Sequence, residues 1–187
     1  MSPDKLSRIS QHMSTATLFL IIAMIFLNSL CWVFPSLSSV SDGYGLSFSL
    51  TDNLLSDPEI NIKSLQWWQI VGGMVISGIP LFVLSRGIYN LRILFKLYSQ
   101  RIYFSLESAS LLGNVGKSVI VWNILSLLFQ PVLSYWLTFC EGEGNRIISV
   151  GFDSQDVVTI FTAVCIILIS NIFRLAVSLQ EENEQFV

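Results

Sequence analysis

The sequence predicts an all-α integral membrane protein with four transmembrane helices, both termini cytoplasmic, and an amphipathic cytoplasmic helix between spans two and three. Three observations predict it. Of 187 residues, 52% are hydrophobic and only 12% charged, where soluble domains run nearer a quarter charged; the mean hydropathy is +0.65. Four stretches carry the roughly 20 mainly apolar residues that a hydrocarbon core requires. Lys and Arg divide unevenly among the connections, which sets orientation.

The first span is read at about Ser14 to Phe34 and the second at about Trp68 to Leu84. The third is read at about Ser118 to Phe139 and the fourth at about Val157 to Val177. No acidic or basic residue lies in the central part of any of them. Arg174 stands near the inner end of the fourth, where its stem can snorkel to the headgroups. Lys5 and Arg8 precede the first span as they would in a signal peptide. Its apolar core outruns the roughly 7–15 residues of such a segment and no A-x-A pattern follows, so a retained anchor is expected. The whole chain reads as a single membrane domain.

Orientation follows from the cations. Lys5, Arg8, Arg86, Arg92, Lys96, Arg101, Lys117 and Arg174 fall on one side, against Lys63 and Arg146 on the other. Both termini and the connection at about 85–117 are therefore expected in the cytoplasm. Trp32, Trp67, Trp68, Tyr135 and Trp136 fall near the outer boundary, as an interfacial belt would.

The outer loops are about 35–66 and 140–156. Leu46-Ser47-Phe48-Ser49-Leu50-Thr51 and Ile148-Ser149-Val150-Gly151-Phe152 alternate apolar and polar residues. Runs this short either pair as a small extracytoplasmic β sheet or remain irregular loop. In the inner connection, Ile88, Leu91, Phe95, Tyr98 and Ile102 recur at steps of three and four, with Arg92, Lys96 and Ser99 on another face. That spacing predicts an amphipathic helix continuing from span two. It would either pack on its own neighbour or receive the membrane surface or a partner. Ser105 reads as an N-cap, with Glu107 in the first turn of the helix that leads into span three.

Polar groups inside spans need partners. Asn123 and Asn171 stand at matched depth in spans three and four, which predicts an interhelical hydrogen bond. Asn28 and Gln130 form a looser pair in the outer half. The other reading, a polar path or pocket, would want deep ionisable groups, and the spans hold none. Gly73-x-x-x-Ser77 in span two is a small-x-x-x-small pattern for close helix approach, either within the chain or in a homo-oligomer. Pro80 and Pro131 fall inside spans two and three, where they would bend their helices.

No catalytic constellation is visible. Gly113-Asn114-Val115-Gly116-Lys117-Ser118 holds Gly-Lys-Ser, but Leu111 stands where a phosphate loop has its first glycine. Cys31, Cys140 and Cys165 have no metal-ligand spacing. Cys31 and Cys140 lie near the outer face, where they would pair in an oxidising compartment or stay separate. Glu141, Glu143, Asp153 and Asp156 lack a fixed cation-binding spacing and read as solvated charges. No metal or cofactor is expected, and the net charge of -3 argues against direct nucleic-acid binding.

Two segments resemble the bacterial membrane family known as domain of unknown function 2975 (DUF2975). Phe104-Ser105-Leu106-Glu107-Ser108-Ala109 with Gly116 is similar to that family's run before its third span. Phe173-Arg174-Leu175-Ala176-Val177-Ser178-Leu179-Gln180-Glu181-Glu182-Asn183-Glu184 is similar to its ending, with Ala176 in place of a glycine and Phe186 in place of a threonine. The resemblance implies a four-helix protein of the bacterial inner membrane and no particular activity. Relatives encoded beside small helix-turn-helix regulators imply a cytoplasmic regulatory partner. The expected function is non-catalytic, a membrane protein that binds or regulates another protein. Its candidate contacts are Arg92, Lys96 and Arg101 on the basic helix, and Glu181, Glu182 and Glu184 at the acidic end. A small transport or permeation subunit, or a membrane enzyme, are the alternatives.

Overall fold

The structure is a computed structural model that describes residues 3–33, 66–103, 105–139 and 154–184. Four helices account for nearly all of them: α1 (Pro3–Val33), α2 (Trp67–Ser99), α3 (Leu106–Thr138) and α4 (Ser154–Glu184). Each is long and apolar enough to cross a membrane. Among the described residues there is no strand. The segments 46–51 and 148–152, where alternation predicts β pairing, lie outside them, as does Cys140 with its expected link to Cys31.

Each span read from the sequence overlaps a helix that extends beyond it at one end or both. α2 and α3 have 33 residues each, or about 50 Å at 1.5 Å per residue, against a hydrocarbon core of about 30 Å. The excess lies mostly on one side of each span, at residues 3–13, 86–99, 106–117 and 178–184. The stretch expected to continue span two as helix is the last turns of α2. In it Leu94 is buried, Leu91, Arg92 and Phe95 are half-buried, and Lys96 is exposed.

The helix ends are built with care. α2 stops in a Schellman motif: the Arg101 amide donates to Tyr98 O at 3.1 Å and the Ile102 amide to Leu97 O at 3.1 Å. Arg101 takes the left-handed position at φ 66°. α3 begins with the expected cap, as Ser105 Oγ accepts from the Ser108 amide at 3.0 Å. At the start of α2, Gln69 Oε1 accepts from the Gln66 amide at 3.0 Å, the reciprocal half of a capping box.

The chain gathers into two compact units. The first comprises Met1–Ile21, Val83–Val121 and Ser154–Val187, the second Ile22–Phe82 and Trp122–Asp153. In the first, Ser7 Oγ donates to Ser99 O at 2.6 Å, and Ser14 Oγ lies 3.5 Å from Arg92 O, so α1 and α2 run antiparallel. There α3 meets α4 through a seam of small residues. Ser170 Oγ donates to Ala109 O at 2.7 Å, both residues being fully buried. A Cβ on Gly116 would come within 2.9 Å of Ala163 O, and one on Gly113 within 2.7 Å of Ser170 Oγ. The Gly-Lys-Ser run is therefore helix, with its glycines spent on close packing.

The second unit has a core of Trp32, Leu133 and Leu137, packed by Ile70, Met74 and Ile76. A Cβ on Gly72 would come within 2.3 Å of the Trp136 ring, and one on Gly73 within 2.1 Å of the Trp32 ring. The Gly73-x-x-x-Ser77 pattern thus serves packing within the chain. Pro80 is buried inside α2, and Pro131 lies inside α3.

Candidate functional site

The two units hold different kinds of polar group. In the second unit the groups are structural. Trp32 Nε1 donates to Ser77 Oγ at 3.0 Å, and Ser77 Oγ donates to Asn28 Oδ1 at 3.4 Å or to Met74 O at 3.3 Å. All three side chains of this chain of bonds are buried. Gln69 joins two helix ends: its Nε2 donates to Leu137 O at 3.3 Å while its own carbonyl accepts from Trp136 Nε1 at 3.1 Å. The Trp68 and Trp136 rings stack edge to face at 5.4 Å. Bonds of this kind satisfy backbone groups where lipid offers none.

Of the polar residues expected between helices, Asn28, Asn123 and Gln130 are buried. Asn171 is exposed, and its Oδ1 accepts from Arg174 within α4 at 3.1 Å. Asn28 meets Ser77 and, through it, Trp32. Sequence reasoning missed Gln69 and Ser170. Gln69 was hidden because Gln66-x-x-Gln69 lacks the Ser or Thr of a full capping box.

The first unit also buries serines such as Ser108 and Ser170, and beside them it carries charged groups that face outward. Arg86 and Asn90 from α2 meet Asn114, Lys117 and Ser118 from α3 around a cleft of about 290 Å³, with Val83 and Val121 also lining it. Lys117 and Asn114 also line a second cleft of about 620 Å³ with Glu107, Ser110 and Arg174. Of the residues proposed for partner contact, Lys96, Arg101, Glu181 and Glu182 are exposed and Arg92 is half-buried. Glu184 closes α4. Among the described residues no three His, Cys, Asp or Glu side chains gather as a metal site would require.

Four helices long and apolar enough to span a bilayer are the architecture of a multi-pass membrane protein. The chain belongs to the DUF2975 family, described as a protein of unknown function, whose model matches residues 13–187. No curated protein and no solved structure proved similar to it. The segment that carries the resemblance before span three falls on the Ser105 cap and on the Ala109 and Gly116 positions of the α3–α4 seam. Ala176, in the C-terminal segment, is exposed.

Proposed function

We propose that this chain is a non-catalytic, multi-pass protein of the bacterial inner membrane that binds a cytoplasmic regulatory protein. Both termini and the 85–117 connection face the cytoplasm in this reading, by the eight-to-two division of Lys and Arg. The observation that supports it is the helical excess of the first unit. Residues 86–99 and 106–117 extend past their spans as ordered helix, joined by a capped turn. A loop meant only to connect two spans needs a few residues. The 14 residues of 86–99 and the 12 of 106–117 build a platform, and its exposed Lys96 and Arg101 carry positive charge. The acidic end of α4, with Glu181 and Glu182 exposed, offers the opposite sign. Two such patches give register and orientation to a partner.

The test is affinity purification of the full chain from native membranes in mild detergent, beside a chain lacking residues 180–187. A soluble protein recovered with the full chain and lost with the truncated one supports the reading and places the contact. Recovery of neither would overturn it.

A further inference from the structure

The cleft between α2 and α3 in the first unit has a chemistry that partner binding does not use. Its residues follow helical spacing on both sides: Val83, Arg86 and Asn90 on α2, and Asn114, Lys117, Ser118 and Val121 on α3. Steps of three and four place each set on a single face of its helix. The floor is the approach of Gly87 to Ser118, where an added Cβ would come within 2.7 Å of Ser118 Cβ. With α2 and α3 antiparallel, Asn90 lies level with Asn114, Arg86 with Lys117 and Ser118, and Val83 with Val121. The cleft therefore grades from amide through cation to apolar side chain, and its apolar end leads into the spans.

Arg86 and Lys117 are exposed, and among the described residues neither has a hydrogen-bond or ion-pair partner. Among the described residues no carboxylate lines this cleft. Its larger neighbour, by contrast, includes Glu107, which opposes an anion. Two cations, two amides and a hydroxyl supply donors of the kind a phosphate accepts, Arg in a planar fork and Lys as a point charge. The valines then suit the first carbons of an acyl chain.

We propose that this cleft binds the phosphate headgroup of one anionic phospholipid, with Arg86 and Lys117 on the phosphate and Val83 and Val121 against the acyl chain. Basic pockets between transmembrane helices take lipid headgroups in this manner. Free phosphate shares the headgroup chemistry but leaves the apolar end unfilled, so the lipid is the occupant. The site does not depend on any protein partner.

Native mass spectrometry of the detergent-solubilised full chain tests it, with dioleoyl phosphatidylglycerol, dioleoyl phosphatidylcholine and inorganic phosphate as probes. The wild-type chain should retain phosphatidylglycerol over phosphatidylcholine. Arg86→Gln with Lys117→Gln should weaken that retention by about tenfold or more, whereas Lys96→Gln, an exposed cation outside the cleft, should leave it intact. Circular dichroism checks that each variant keeps its helix content. Val121→Trp, which fills the apolar end without touching charge, should also reduce lipid retention. Equal losses from Lys96→Gln and the double variant would mean general interfacial charge and would overturn the site. Inorganic phosphate that competes as well as the lipid would overturn the choice of occupant.

Discussion

Gly72 and Gly73 let two indoles lie against one helix. An alanine Cβ at either position would fall 2.3 Å or 2.1 Å from a tryptophan ring atom, far inside van der Waals contact. Trp32 is buried at 1% exposure and held by Ser77, so its ring has nowhere to retreat. Gly73→Ala should therefore destabilise the protein by about 1–3 kcal/mol, and Gly72→Ala similarly. Gly78 is the internal control, because an added Cβ there meets nothing within 4 Å. Gly78→Ala should be neutral or stabilise by up to about 1 kcal/mol, since alanine favours helix. Thermal unfolding in detergent distinguishes the three, and equal melting temperatures would refute the packing account. Arg101 presents the converse case. It holds the left-handed C′ position of a Schellman motif, where a side chain costs about 1 kcal/mol relative to glycine. Arg101→Gly should raise the melting temperature, and a fall would show that the side chain contributes more than its backbone strain costs.

Elements explain why some of this was legible and some was not. Hydropathy places a chain in lipid, so all four helices could be read from runs of apolar residues. Ser105 and Glu107 could be read as a helix start because an N-cap is a local feature. Hydropathy does not say which face of a span meets protein, because lipid is as apolar as leucine. In α3 the buried stripe is Ala109, Gly116, Asn123, Gln130 and Leu137, a strict seven-residue repeat of mostly small and polar side chains. Val121, Ile124, Leu128 and Val132 are exposed instead. In α4 the same repeat buries Ala163, Ser170 and Val177. In α3 and α4 apolar side chains are found both buried and exposed, so apolar periodicity does not single out the packed face, and Ser170 gave no signal. Matched depth alone likewise suggested Asn171 as an interior residue, yet it is exposed and bonded to Arg174. The seam predicts its own energetics. Gly116→Leu would push side-chain atoms into the Ala163 carbonyl and should cost about 2–3 kcal/mol. Ser170→Ala removes one hydrogen bond, worth about 0.6 kcal/mol inside a membrane. A larger loss for the serine variant in the same thermal assay would reverse that order and make hydrogen bonding the main tie between α3 and α4.

For the whole molecule the governing quantity is charge across the bilayer. The cleft cations Arg86 and Lys117 and the platform cations Lys96 and Arg101 belong to one connection, together with Arg92. If that connection faces the cytoplasm, the lipid site opens on the leaflet with the more negative surface potential, and the acidic end of α4 is on the same side as a soluble partner. If it faced outward, both proposals would lose their setting. The division of eight cations against two makes the cytoplasmic assignment the expected one, since positively charged short loops are retained inside during insertion. The assignment can be measured in a chain whose native cysteines are replaced by serine. Lys96→Cys should react with a membrane-impermeant maleimide only after the cells are permeabilised, because Lys96 is exposed but would sit behind the membrane. Asp52→Cys, in the connection between α1 and α2, should react in intact spheroplasts. The reverse labelling pattern would place both termini outside, and the cation distribution would then have to reflect ligand binding and not insertion.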